Sequence, residues 1–258
     1  MLKIFENKNL AFLKELALTQ FKLKDQSTLL GTLWSLLNPI ILISVLYIVF
    51  SNKFGNKIEH FVIYLLIGVI QYSHFSSATS SAMKSLKSMS NLTKNAVFPK
   101  EIIVLSTILA TLPEFLISLI VCYVVALVSG VAFSATFILA LPIIIILQLS
   151  FVFWVSFLMA PLYLVVKDIE HLYQILIRVL FFITPIFYDM SFIENPLAKA
   201  IVLANPLTHL ITFTREIVIN ANYEISYQFG AYICLNLVLL VISYLIFKKI
   251  EPRFGEVI

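Results

Sequence analysis

The sequence predicts an all-α, polytopic membrane protein with six transmembrane helices. Of its 258 residues 60% are hydrophobic and only 12% are charged, and the mean hydropathy is +0.99. A soluble domain of this length needs far more polar surface. Six apolar runs approach or exceed the roughly 20 residues that a helix needs to cross the hydrocarbon. They cover residues 33–50, 61–83, 102–129, 133–166, 172–188 and 227–247. Runs of alternating polarity are absent, which excludes a transmembrane barrel.

The basic residues lie in alternate gaps between these runs. Thirteen of the 18 Lys and Arg residues lie before the first run or after the second, fourth or sixth. Four lie in the remaining gaps, and Arg178 lies within the fifth run. Cytoplasmic loops carry an excess of Lys and Arg, so both termini are expected in the cytoplasm. That orientation requires an even number of crossings.

Residues 10–24 precede the first run and form a basic amphipathic helix on a helical wheel. Leu13, Leu16 and Phe21 share one broad face, which Gln20 and Lys24 interrupt. Such a helix before a first span usually lies along the membrane surface. We therefore divide a single transmembrane domain, residues 1–258, into an interfacial helix with its connecting loop (1–32), a six-span bundle (33–247) and a cytoplasmic tail (248–258).

A seventh apolar stretch, residues 197–213, complicates the count. It contains Asn205, Pro206 and His209, and a full crossing there would move Lys248 and Lys249 outside. We interpret residues 185–214 as re-entrant helices between spans 5 and 6, a geometry that survives only where protein covers it or water fills a cavity. An ordinary external loop is the alternative.

Several polar and aromatic residues interrupt the apolar runs. Arg178 is either a cation that meets an anionic headgroup or a structural, snorkelling side chain. Glu114 follows Pro113 midway along the third run and is either a switch or a buried hydrogen-bonded group, with no partner evident. The serine-rich second half of the second run fits helix packing or a conduit wall. The aromatics of the fourth run fit core packing or a platform for sugar rings.

No catalytic or nucleotide-binding motif is present in the sequence. It contains no P-loop pattern and no G-x-S-x-G, and its four His and two Cys residues have no metal-ligand spacing. The sequence therefore gives no sign that this chain binds a nucleotide through a P-loop or carries an active site.

Four ordered blocks resemble the permease subunit of type-2 ABC exporters for O-antigen, capsule and teichoic-acid polysaccharides. They are KLKDQSTLLGTLWSLLNP at 22–39, NLTKNAVFPKE at 91–101, TPIFY at 184–188 with NPLT at 205–208 and Arg215, and FKKIEPRFGEVI at 247–258. The resemblance covers essentially the whole chain and is more specific than any single block.

The resemblance implies a multi-pass half-transporter of the bacterial inner (cytoplasmic) membrane. Its partners would be a second copy of itself, two ATP-binding ABC subunits, membrane lipid and a lipid-linked polysaccharide, with no nucleic acid. ATP and Mg would be bound by the partner subunit, so this chain would need no cofactor and would not be an enzyme.

Three groups of residues are the predicted sites. Coupling to the ATPase subunit is assigned to the loop 89–100, in which Phe98 is expected to be an exposed anchor, through Asn91, Leu92, Lys94, Phe98, Pro99 and Lys100. Capture of the lipid headgroup is assigned to Lys22, Lys24, Leu30, Gly31 and Arg178. The glycan path is assigned to Phe151, Trp154, Phe157, Phe181, Phe187 and Tyr188.

Two other functions compete with polysaccharide export. A type-2 ABC permease for drugs or small lipids would share the fold but would not need an aromatic conduit. A membrane-embedded glycan enzyme would need paired carboxylates, and Glu114, Asp168 and Glu170 form no convincing pair.

Overall fold

The computed structural model describes residues 7–24, 33–55, 57–95, 98–131, 135–166, 168–220 and 227–254. Within these ranges the chain is helical and contains no β-strand, which confirms the all-α prediction. The helices are α1 (Asn7–Lys24), α2 (Leu33–Phe50), α3 (Phe61–Ser88), α4 (Ser90–Asn95), α5 (Glu101–Val128), α6 (Ala135–Val165), α7 (Ile169–Ile183), α8 (Pro196–Ala204), α9 (Pro206–Val218) and α10 (Tyr227–Ile250). Short turns cover Ser51–Gly55, Met190–Phe192 and Glu251–Arg253.

The number of membrane-spanning segments agrees with the polytopic prediction. In the described ranges five helices are long and apolar enough to cross, or six if the α8–α9 pair, bent by 83°, counts as one span. The fifth span departs from the prediction of one long helix over residues 172–188, because α7 has only 15 residues. At 1.5 Å per residue it is about 23 Å long, shorter than the roughly 30 Å of hydrocarbon.

The chain after α7 completes this fifth crossing without a helix. Lys84 on α3 forms an ion pair with Glu170 at the start of α7 (Nζ–Oε1 2.5 Å). Farther along, the hydroxyl of Tyr64 donates to the carbonyl of Tyr188 (2.9 Å). The two α3 contacts are separated by 20 residues of helix, about 30 Å. Residues 170–188 therefore follow α3 through the full bundle, the last five residues in non-helical backbone.

Contacts between the helix ends place the start of α1 and the end of α10 at one end of the bundle. Lys248 of α10 binds Glu101 of α5 (2.7 Å), and the ring of Phe12 in α1 packs on Phe98 at 4.9 Å between centroids. We call this the basic end, and the opposite end, which holds Tyr188 and the start of α3, the far end. A chain that begins α1 and ends α10 at the same end makes an even number of crossings between them. That this end faces the cytoplasm remains a prediction.

The bent pair α8–α9 returns toward the far end, as a re-entrant segment does. Asn205 makes the bend: it ends α8, and its Oδ1 accepts from the backbone N–H of Leu207 to cap α9, with Pro206 in the first turn. Its Nδ2 donates to Thr184 (2.8 Å). The hydrogen bonds of α9 to the bundle reach Tyr64 and Gln71, both in the far half of α3.

The helix α3 is the core of the bundle. About 78% of its membrane-spanning window is buried, against 22% for those of α2 and α10. Large apolar side chains on the outer helices, such as Ile48, Phe182 and Leu245, are exposed. Lipid tails are as apolar as such side chains, so this surface suits a lipid or a second helix rather than water.

Candidate functional site

The helix α1 runs alongside the first half of α5 instead of standing apart from the bundle. The side-chain amide of Gln20 donates to Ser106 (2.7 Å) and accepts from Thr107 (2.8 Å). Four residues later, Lys24 reaches Glu114. The two polar residues that interrupt the apolar face of α1 are therefore the ones that fasten it to α5.

Lys24 and Glu114 form an ion pair halfway along α5. The Lys24 Nζ donates to both carboxylate oxygens, at 2.8 and 2.7 Å. Glu114 lies 13 residues after Glu101, about 20 Å into the helix, and its side chain is only 14% exposed. Charges at such depth are costly unless they are paired or face a wet cavity. The pair answers the open question of Glu114's partner, and it moves Lys24 from the predicted headgroup site to the middle of the bundle.

A cavity of about 330 Å³ opens beside this ion pair, between α1, α2, α3 and α5. Its walls carry an indole, Trp34, and a set of uncharged polar groups in addition to the pair. These are Asn38, Ser73, His74, Ser77, Thr111 and Ser118. The cavity therefore combines opposite charges with hydroxyl and amide groups at a depth where helices normally present only apolar side chains.

A buried polar network continues from the cavity across the bundle. His74 lies 3.3 Å from the Thr111 hydroxyl and 3.2 Å from the Gln148 amide nitrogen. Gln148 also donates to the Gln71 carbonyl oxygen, and the Gln71 side chain donates to Thr214 (2.6 Å). The polar half of α3 thus divides between packing, through Gln71 and His74, and the cavity wall, through Ser73 and Ser77.

Arg215 is fully buried near the far end and is held by backbone. Its guanidinium donates to the carbonyl oxygens of Tyr64 (2.9 and 3.2 Å), Pro185 (2.7 Å) and Ile186 (2.9 Å), and it stacks 3.3 Å above the Tyr64 ring. Gly68 leaves the space for it, since a Cβ there would lie 2.8 Å from Nη2. Arg215 therefore ties the non-helical end of the fifth crossing to α3 and α9.

The predicted coupling loop is held from two sides at the basic end. The short helix α4 lies where the resemblance implied a coupling helix, with Asn91 and Lys94 exposed and Leu92 and Pro99 half-buried. Glu251 of the tail accepts from the backbone N–H of Lys100 (2.8 Å). The expectation that Phe98 is exposed was wrong: its ring is half-buried between Phe12 and the Lys100 ammonium.

The predicted headgroup residues do not lie together. Lys22 is exposed on α1, Lys24 is paired with Glu114, and Leu30 and Gly31 fall outside the described residues. Arg178 is exposed on α7 and has no ion pair within the described ranges. Its neighbour Ile177 accepts a hydrogen bond from Tyr72, which is near the middle of α3. Arg178 is therefore deeper in the bundle than the sequence suggested.

The predicted glycan-path aromatics form two groups. Phe151 stacks on Phe75 (4.7 Å) and contacts Trp154, and Phe157 packs on Phe247. Phe151 and Phe157 are 3% and 4% exposed, so within the subunit they are packing residues with no free ring face. The other group, Phe181, Phe187 and Tyr188, is half-buried at the far end of the fifth crossing, beside Phe50.

No group of three or more potential metal ligands occurs in the described part of the chain. Sequence reasoning missed the buried His74–Gln148 network and the role of Arg215, which it placed in an external gap. A sequence signal did exist for Arg215, because it closes the TPIFY–NPLT block. For Gln148, a lone amide in an apolar run, nothing in the sequence identified a partner 74 residues away.

The apolar outer surface and the long apolar helices define a membrane-embedded helical bundle with a polar interior. Residues 13–219 match the family described as ABC-2 type transporter, and the chain belongs to that family. It is similar to an O-antigen export system permease protein RfbA of Klebsiella pneumoniae, 28% identical over 254 residues and 97% of each chain. The protein of the same name from Myxococcus xanthus is 24% identical over 238 residues, 92% of this chain and 91% of that one.

Proposed function

We propose that this chain is the membrane-spanning half of an ATP-driven exporter that moves a lipid-linked polysaccharide outward across the bacterial cytoplasmic membrane. The observation that carries the proposal is the match over 97% of both chains to a permease named for O-antigen export. A polar cavity and a buried polar network inside an otherwise apolar bundle agree with a hydrophilic cargo.

ATP hydrolysis is the task of a separate ATP-binding subunit in this proposal. Membership of the ABC-2 family implies such a partner, and the sequence has no P-loop of its own. The basic end, where α1 begins, α10 ends and the loop that contains α4 lies, faces the cytoplasm and receives the partner. Asn91 and Lys94 are exposed there, so they can contact it directly, whereas Phe98 acts through α1.

A second copy of the chain completes the transporter. Arg178 is exposed in mid-bundle on α7, and the exposed residues of that helix from Leu172 onward are otherwise apolar, among them Leu176 and Val179. A lone charge at that depth usually faces protein or a wet cavity rather than lipid. Pairing of two copies across α7 would place Arg178, Phe181 and Phe187 on a shared path for headgroup and glycan.

Deletion of the gene in the source organism tests the proposal. Surface polysaccharide should disappear, and lipid-linked polymer should accumulate on the cytoplasmic side. The wild-type chain should restore export only together with its ATP-binding subunit. Normal surface polysaccharide in the deletion strain, with altered drug sensitivity or lipid composition, would favour the drug or small-lipid alternative instead.

A further inference from the structure

The cavity beside Lys24 and Glu114 is lined by polar groups that an occupant can reach. Asn38, Ser77 and Trp34 are exposed and Ser73 is half-buried, and all four line the cavity. A polar group that meets only hydrocarbon costs several kcal/mol. Acyl chains cannot satisfy these groups, so the cavity is suited to a polar occupant.

The ion pair itself retains hydrogen-bonding capacity. An ammonium has three N–H donors, and Lys24 uses two of them on Glu114. Each carboxylate oxygen of Glu114 accepts one of these bonds and has a second lone pair, and Glu114 lines the cavity. Together with Asn38 and the two serines, the walls offer donors and acceptors side by side.

The charge balance of the cavity selects among polar ligands. Lys24 and Glu114 neutralise each other at 2.7 Å, so a pyrophosphate would meet a carboxylate along with the ammonium. A zwitterionic headgroup would have to separate the pair to bind both charges. A neutral polyol binds without meeting a like charge and without separating the ion pair, because its hydroxyls donate and accept hydrogen bonds at the same time.

We propose that this cavity binds a neutral sugar unit, with Glu114, Lys24, Asn38, Ser73 and Ser77 bonded to its hydroxyls and the Trp34 indole against its ring. Trp34 is 44% exposed, which leaves its surface accessible to a ring. The site rests on the proposed export function for its biological meaning. It differs from the aromatic path, since it lies within one subunit, and weak binding is expected where a cargo has to leave again.

Protection of an engineered cysteine tests the site. The full chain is assembled with its ATP-binding partner in lipid nanodiscs, and it lacks both native cysteines through Cys122→Ala and Cys234→Ser. The probe is Ser118→Cys, at a residue that lines the cavity but is not one of the proposed sugar ligands. A small water-soluble methanethiosulfonate reagent then labels the cavity. Methyl glucoside, methyl galactoside and methyl mannoside are compared with choline phosphate and inorganic pyrophosphate as protectants.

At least one glycoside should slow the labelling saturably, and neither choline phosphate nor pyrophosphate should do so. Adding Asn38→Ala should raise the half-protecting concentration about fivefold, the loss expected for one neutral hydrogen bond. Ser44→Ala, on the same helix but outside the cavity, should leave it unchanged. Nanodiscs with and without a monoglucosyl diacylglycerol show whether a glycolipid headgroup can supply the sugar as well as a soluble glycan.

Four results would overturn the proposal. An unreactive cysteine would mean that the cavity is sealed from water, and a reactive cysteine that no glycoside protects would mean that the cavity holds water alone. Protection by choline phosphate or pyrophosphate, or glycoside protection that Asn38→Ala leaves unchanged, would also contradict it. The deletion phenotype separates this outcome from the proposed function. If the deletion strain loses its surface polysaccharide but no glycoside protects the cysteine, the sugar site is wrong and the export function stands. If a glycoside protects the cysteine but the deletion strain has normal surface polysaccharide, the sugar site stands and the export function is wrong.

Discussion

At the scale of single residues, charges at mid-bundle and at the far end are compensated in two different ways. Lys24 and Glu114 compensate each other across 2.7 Å, whereas Arg215 is surrounded by carbonyl oxygens and an aromatic ring. Hydrogen bonds to a charged group are worth more than neutral ones. The Lys24–Glu114 ion pair therefore holds α1 against α5, and Arg215 holds the non-helical end of the fifth crossing against α3 and α9.

Gly68→Ala tests whether the contacts of Arg215 with backbone carbonyls stabilise the bundle. The new Cβ would lie 2.8 Å from the guanidinium and 3.2 Å from the Ile186 backbone, so Arg215 has to shift and its carbonyl contacts weaken. We expect a loss of about 1–3 kcal/mol, the range for overpacking, measured as a lower thermal midpoint in detergent. Gly230→Ala is the matched control, because a Cβ there meets nothing within 4 Å. Equal midpoints for the two variants would contradict the assignment.

The Lys24–Glu114 pair is tested by a double-mutant cycle with Lys24→Met and Glu114→Leu. Each single variant leaves one charge without its partner at mid-bundle, which costs more than removing both. Because the Lys24 side chain is 33% exposed, solvent screens part of the interaction. We expect a coupling free energy of about 2 kcal/mol. Strictly additive losses of unfolding free energy would show that the two charges do not stabilise each other.

At the scale of secondary-structure elements, α1 connects the loop at the basic end to the middle of the bundle. Its first turns pack on Phe98 and its last residue binds Glu114, about 20 Å deeper by helix rise. A rigid helix with contacts at both ends can pass a displacement of the loop to the cavity. The tail supports the same loop through Glu251, and the buried Phe254 anchors the tail.

Phe98→Ala is therefore expected to uncouple transport through the loss of its contact with α1. Polysaccharide export in cells should fall severalfold while membrane abundance and assembly with the ATP-binding subunit persist. Charge reversal at Lys94 and Lys100 should act similarly by disturbing the partner surface. Lys199→Glu, which reverses an exposed charge on α8 rather than on this loop, is the control and should leave export unchanged. Unchanged export in both the Phe98 and the charge-reversed variants would exclude this loop as the coupling element.

The elements were predictable where periodicity and charge decide them, and less so where tertiary contacts do. Long apolar runs gave α2, α3, α5, α6 and α10, and Asn205-Pro206 indicated the break in the re-entrant pair. The early end of α7 was missed: Pro185 cannot continue a helix, and Arg215 binds the carbonyls that are left free. Likewise, Gln20 and Lys24 weakened the amphipathic pattern of α1 because they bind α5.

At the scale of the whole molecule, the contacts at the basic end imply an even number of crossings. The exposed residues Ser191 and Asn220 lie at the far end, and Ser88 lies at the basic end. With native cysteines removed, Ser191→Cys and Asn220→Cys should react with an impermeant thiol reagent applied to intact cells. Ser88→Cys should react only after the membrane is opened. Labelling of Asn220→Cys only after opening would mean that α8–α9 crosses fully.

The central claim is that this chain and an ATP-binding partner together export a lipid-linked polysaccharide. The direct measurement is transport in proteoliposomes that contain the purified complex and lipid-linked polymer, read out as the fraction of glycan that a lectin can reach on the trans side. ATP should increase that fraction with time, and the chain without its partner should neither transport nor hydrolyse ATP. An ATP-independent fraction, or hydrolysis by the chain alone, would contradict the account.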